Sequence, residues 1–225
     1  MEESLPIGLL LRSGNSGFVV GMRVAHWLAP AFGALVRAPL GLGYEVYGLI
    51  YDIHIDDDGL VRQLVTAENV DEGVIADNRE NRNIPIEMSI VCVGYAQNGQ
   101  IRHMLPPRPP LSLDSIYLCD RAELRAFTSA GRFGYFRHVL RSADIPAGEL
   151  FAAHLELAQA AHREAGNENW AAEAARELIV LLRDDYATLM AVLGALGDAG
   201  LLLKGENVCI VAAGMHYTNL LPVES

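Results

Sequence analysis

Apolar and polar residues alternate with period two through the first half of the chain. Phe18, Val20, Met22 and Val24 alternate with Val19, Gly21 and Arg23, the pattern of a half-buried strand. Ala34, Leu35, Val36 and Arg37 follow a Pro-x-x-Gly turn at Pro30 and Gly33. The clearest strand covers residues 44–55. Tyr47, Leu49, Tyr51, Ile53 and Ile55 fall on one face, and Gly48, Ile50, Asp52 and His54 on the other. It stops at Asp56-Asp57-Asp58-Gly59, where carboxylates bond nearby amides and glycine accepts positive φ. Residues 60–66 read as a return strand, and the polar residues 67–85 as an exposed loop or short helix. Residues 88–95 are apolar and β-rich. A hairpin turn at Ala96-Gln97-Asn98-Gly99 leads back through residues 100–104. Pro106, Pro107, Arg108, Pro109 and Pro110 cannot join a central ladder or a helix interior, so they predict an extended segment crossing the surface. Residues 115–119 supply a closing strand.

At Asp120 the period changes. Asp120 with Glu123 three residues on fits a capping box, and Leu124 and Phe127 begin an apolar helical stripe. Phe133, Phe136, Val139 and Leu140 predict a short helix. Pro146 opens a longer one over residues 150–165 that ends at Gly166. Trp170, Ala174, Leu178, Leu181 and Leu182 form a further stripe. Tyr186, Leu189, Met190 and Leu193 form the last, ending near Gly194 and Gly197. Residues 201–203 and 208–213, joined by Lys204-Gly205-Glu206-Asn207, read as a terminal β-hairpin. Many short strands followed by helices predict an α+β chain. Its expected parts are a closed antiparallel β-barrel over residues 1–119 and a small helical bundle over residues 120–225.

Composition narrows the function classes. Hydrophobic residues make up 51% of the 225, enough for a substantial core. The apolar runs, such as residues 7–11 and 208–213, are too short to span a bilayer. The start of the chain carries Glu2 and Glu3, so a cytoplasmic location is expected. Net charge is −11. Residues 146–225 hold three Arg, one Lys and 11 acids, which disfavours direct nucleic-acid binding. Cys92, Cys119 and Cys209 are scattered through apolar runs and read as buried, inert thiols.

Catalytic and cofactor signatures are absent from the sequence. Lys204 is the only lysine, and no G-x-x-x-x-G-K-[ST] run surrounds it, so no P-loop nucleotide site is present. Gly41-Leu42-Gly43 lacks a third glycine and enters a strand, whereas dinucleotide binding needs a helix N-terminus. Asp52, His54 and Asp56 are a candidate metal face on one strand, set against the reading of a solvated strand tip. An EF-hand alignment fails, because Gly59 at loop position six puts His54 at one and Val65 at twelve. Ser16 within Gly14-Asn15-Ser16-Gly17 is not a nucleophile elbow. His154 and His162 lack ligand spacing and read as surface or partly buried. Asp184-Asp185 reads as the cap of the last helix. The last helix with its hairpin has a winged-helix look, yet only Lys204 could serve DNA there. No catalytic residue, cofactor or nucleotide site is expected.

Several segments carry a resemblance: Ser16-Gly17-Phe18-Val19-Val20, Phe32-Gly33-Ala34-Leu35-Val36 and Val46-Tyr47-Gly48-Leu49-Ile50-Tyr51-Asp52-Ile53. Val91-Cys92-Val93-Gly94-Tyr95 follows, then the proline run leading into Ser115-Ile116-Tyr117. Together they resemble the HAS barrel, the small β-barrel of HerA-type translocases and of the ATP synthase catalytic hexamer. To about residue 196 the chain is similar to stand-alone HAS-barrel proteins, on the proline run, Ile116-Tyr117-Leu118-Cys119 and Leu181-Leu182-Arg183-Asp184-Asp185-Tyr186. Helices stand where translocases carry the motor, so ATP hydrolysis does not carry over. The resemblance implies a non-catalytic adaptor for a protein partner such as a hexameric ATPase or nuclease assembly, with self-association through barrel edges. The proline run is the candidate partner-binding segment. A winged-helix regulator and a metal-dependent hydrolase at Asp52, His54 and Asp56 are the competing expectations.

Overall fold

A computed structural model describes residues 6–24, 30–55 and 84–202. Seven strands come first: β1 (Pro6–Ser13), β2 (Gly17–Val24), β3 (Leu35–Pro39), β4 (Tyr44–Ile55), β5 (Ile84–Gln97), β6 (Gln100–Arg102) and β7 (Ser115–Leu118). Helices α1 (Arg121–Ser129), α2 (Phe136–Leu140), α3 (Ala147–Glu164), α4 (Trp170–Leu181) and α5 (Tyr186–Asp198) follow, with a 3-10 turn at Gly131–Phe133. The expected return strand over residues 60–66, the Asp56-Asp57-Asp58-Gly59 turn, Cys209 and the terminal hairpin beyond residue 202 lie outside the described residues.

Six strands close a barrel in the order β2-β1-β7-β3-β4-β5, with β5 returning to β2. All of these pairings are antiparallel, and β6 extends the far end of β5 as a hairpin. Closure pairs both edges of every barrel strand and leaves no barrel edge to template another chain. The lumen takes inward residues from all six: Leu10, Phe18, Val20, Val36, Ala38, Val46, Ile50, Ile86, Met88, Ile90, Cys92 and Ile116. The α+β class with an N-terminal closed barrel and following helices is therefore the observed architecture.

The outer wall of β3, β4 and β5 is buried as well. Leu35, Tyr47, Leu49, Val91, Val93 and Ala96 join one core with the helices. This explains why residues 90–95 are continuously apolar: the strand is covered on both sides.

Four expectations change. β1 falls in the run read only as too short for a membrane; Leu10 alone of its side chains is fully buried, so alternation there is faint. β5 starts at Ile84, ahead of the expected residue 88, because it must reach along the whole of β2. The five residues from Tyr47 to Ile55 do not share one face. The ladder between β4 and β5 slips between Ile50 and Asp52, leaving Tyr51 as an extra residue. That bulge reverses the sidedness beyond it, so Tyr51 packs toward the helices while Ile53 packs against the lumen. Finally, α5 continues through Gly194 and Gly197 to Asp198, with Gly200 in the left-handed region just after it.

The helical part matches its caps. Asp120 Oδ1 accepts from the Glu123 amide at 2.8 Å, and Glu123 Oε2 accepts from the Asp120 amide at 2.9 Å, closing the capping box. Asp185 caps α5 by accepting from the Thr188 amide at 3.1 Å. Aromatic rings connect the barrel wall to the helices: Tyr47 lies 5.0 Å from Phe127, and Phe127 lies 5.4 Å from Tyr135. Tyr135 continues to Phe136 at 4.7 Å, and Phe136 to Phe151 at 4.9 Å. Gly33 brings α3 against the barrel. It has φ +83, and a Cβ there would stand 2.8 Å from both Ala153 Cβ and the His154 amide nitrogen. Among the described residues, no helix is long and apolar enough to cross a membrane.

Candidate functional site

The proline run is a strap joining β6 to β7. Its imide nitrogens cannot donate, so its carbonyls do the anchoring. Asn15 Nδ2 donates to the Pro106 carbonyl at 2.6 Å, and Ser13 Oγ donates to that of Pro110 at 2.5 Å. The Tyr44 hydroxyl donates to the Arg108 carbonyl at 3.2 Å. Pro106 and Pro110 are buried, whereas Pro107 and Arg108 are presented to solvent. The strap is thus ordered at both ends and exposed at its middle.

Beyond Pro110 the chain makes a tight turn against β1. The Leu111 amide donates to Asp114 Oδ2 at 2.7 Å, and the Leu113 amide donates to the Leu10 carbonyl at 2.8 Å. This turn holds Leu113 at φ +73, a conformation that a branched side chain rarely adopts. Leu111 and Leu113 are nevertheless 71% and 73% exposed. Strain at Leu113 is therefore not offset by burial of its side chain. Leu9 and Leu11 of the neighbouring strand are also exposed, on a wall that none of the described helices covers. Four exposed leucines thus lie on β1 and on the turn hydrogen-bonded to it, next to the strap.

Asp52 and His54 are exposed near the end of β4, opposite Ser89 and Glu87 of β5. Asp56, the third candidate metal ligand, lies outside the described residues. Among the described residues no group of three or more His, Cys, Asp or Glu side chains is placed to hold a metal ion.

His154 and His162, expected at the surface or partly buried, are more buried than that. His154 is fully buried, with Nδ1 at 3.1 Å from the Gly33 carbonyl and Nε2 at 3.0 Å from the Tyr135 hydroxyl. Burial pushes its pKa down to about 4, so it is neutral at neutral pH. His162 is buried too, with Nε2 at 2.8 Å from Thr128 Oγ1 and its ring stacked on Trp170 at 4.5 Å. Both sit on the inward face of α3, and the spacing test for metal ligands carries no information about burial. Both are joints between elements: His154 links α3 to the barrel, and His162 links α3 to α1. Cys92 is buried in the lumen, and desolvation pushes its thiol up to about 12, the state of an inert side chain.

A charged joint was also missed. Arg37 of β3 pairs with Glu123 of α1 at 2.7 Å, reaches Glu45 of β4 at 3.6 Å and lies over the Tyr117 ring of β7. The only sequence signal is an arginine on the outward face of a strand.

The fold and surface together define a closed β-barrel with a helical cover on one wall and an apolar, strap-bordered patch on another. No family model matches the chain, and no curated protein matches it.

Proposed function

We propose that this chain is a non-catalytic adaptor, a stand-alone barrel of the HAS type whose uncovered wall holds a protein partner in the cytoplasm. The observation that carries this reading is the patch at Leu9, Leu11, Leu111 and Leu113. Its leucines are exposed, and one of them is held in a strained backbone by an ordered turn. Exposed apolar side chains held in place by the fold suit a protein interface. The strap borders it with Pro107 and Arg108, so the rim is rigid and carries a cation. The likeness to HAS barrels supports a ring ATPase or nuclease assembly as the partner class. The acidic chain argues that nucleic acid is reached only through that partner. Any self-association would use side-chain surfaces, since closure occupies the barrel edges.

The experiment is affinity capture of the full chain from its native cell extract, with mass spectrometry, beside Leu111→Asp and Leu113→Asp. Recovery of a ring ATPase or nuclease with the native chain, lost with both variants at unchanged melting temperature, supports the reading. Equal recovery with the variants moves the interface elsewhere. Recovery of no such assembly rejects the adaptor role.

A further inference from the structure

A second feature lies where β5 and the β1–β2 turn meet the α2–α3 connection. Two adjoining cavities of about 550 and 480 Å3 share Ser16, Val91 and Ser142, forming one continuous cleft. Arg137, Arg141 and His138 line the first lobe together with Met104 and Leu105. Arg12, Ser13, Ser89 and Asp144 line the second.

The charge of this cleft opposes that of the chain. Net charge is −11, yet the first lobe carries two arginines and no carboxylate. Among the described residues neither Arg137 nor Arg141 has an ion-pair partner. They are four residues apart on one turn of helix, so both guanidinium groups reach the same side. Arg137 is half-buried, and one terminal nitrogen donates to the His103 carbonyl, which fixes the direction of the fork. Its other N–H groups keep their donor capacity. Ser16 adds a hydroxyl to the lining, the Ser142 hydroxyl donates to the His138 carbonyl at 3.1 Å, and Val91, Met104 and Leu105 form an apolar floor. The second lobe is lined by one arginine, Arg12, and one carboxylate, Asp144, so the positive excess among the lining residues lies in the first.

We propose that this cleft binds the phosphate group of a small organic anion, with Arg137 and Arg141 as the charged clamp and Ser16 as a neutral donor. Paired guanidinium forks match a tetrahedral, multiply charged oxyanion. The cleft has the size of small-molecule sites, and its apolar floor suits the organic part. An extended acidic peptide would have to leave the positive lobe for the surface of an acidic chain, whereas a compact anion is held inside the lobe. The competing account is structural: both arginines end α2, where cations complement the terminal carbonyls.

Calorimetric titration of the full chain at low salt, with pyrophosphate and with adenosine 5′-monophosphate, tests the assignment. Saturable binding of at least one at millimolar concentration or tighter is expected. Arg141→Gln weakens it about tenfold or more, and Arg12→Gln has the smaller effect. Arg141 is exposed, so its variant keeps the native melting temperature; a lower melting temperature with unchanged anion affinity overturns the proposal for the helix-end account. Absence of binding by either phosphate, or binding of an oligoglutamate peptide in their place, overturns it as well.

Discussion

The barrel lumen and the core beneath the helices are filled by different chemistry. The lumen is aliphatic apart from Phe18, Met88 and Cys92, and polar contacts there belong to the backbone ladders. The second core holds Phe127, Tyr135, Phe136, Phe151 and Trp170, with His154 and His162 hydrogen-bonded inside it. A closed ladder already fixes strand positions, so aliphatic fill suffices. Helices on a wall can slide or rotate, and directional bonds from buried histidines, with tilted aromatic pairs, select one placement. Stability in the second core thus depends on few, specific side chains.

Three measurements sharpen this contrast. The largest effect is expected from Phe136→Ala, which empties the middle of the ring series between Tyr135 and Phe151. Urea unfolding should show a loss of about 3–5 kcal/mol. A loss under about 1 kcal/mol would mean that the helices hold their place without it.

Next is the acid response of His154. Its pKa falls from 6.5 in the free side chain to about 4 in the fold, because burial disfavours the charged form. A group with a depressed folded pKa contributes stability above its unfolded value. That stability is lost as pH falls from 6.5 toward 4, by about 3 kcal/mol in total. His103, His138 and His162 are pushed in the same direction by burial. Stability measured from pH 7.5 down to 4.5 should therefore fall steadily in the native chain. His154→Gln should be less stable at pH 7 and lose less on acidification. An identical slope in both would remove His154 as the acid-sensitive joint.

The smallest effect belongs to the lumen. Gly48 sits between Val46 and Ile50, and a Cβ there would stand 2.3 Å from Ile90 Cγ2. Gly48→Ala should cost about 1–3 kcal/mol through overpacking, with no change in the pH slope. A change in that slope would show that the two cores are coupled across β4.

Much of the barrel was legible because its signal is local. Alternation marked β2, β3 and β4, the Asn98-Gly99 turn marked the β5–β6 hairpin, and Asp120 with Glu123 marked the start of α1. β1 was missed because its outward leucines are apolar as well as its inward one, which erases the alternation. The sidedness beyond Tyr51 was missed because a bulge is a property of two strands in register. The proline strap was visible as an extended crossing, but not the carbonyl anchors at Ser13, Asn15 and Tyr44 that hold it. Nor was the leucine patch, which joins residues about a hundred positions apart. Arg12, Arg137 and Arg141 carry no motif at all; their shared cleft exists only once β1 and α2 are placed.

The sequence by itself determined the α+β class, the change of period at Asp120, the helix caps and the lack of a P-loop, since each depends on neighbours along the chain. Tertiary structure alone decided which strand closes on which, that β4 and β5 are buried on both faces, and that His154 and His162 lie inside. It also decided that none of the described helices covers the β1 wall and that a positive cleft forms in an acidic chain. Burial and charge surroundings come from contacts distant in sequence, and periodicity records only that a face is apolar, not what will cover it.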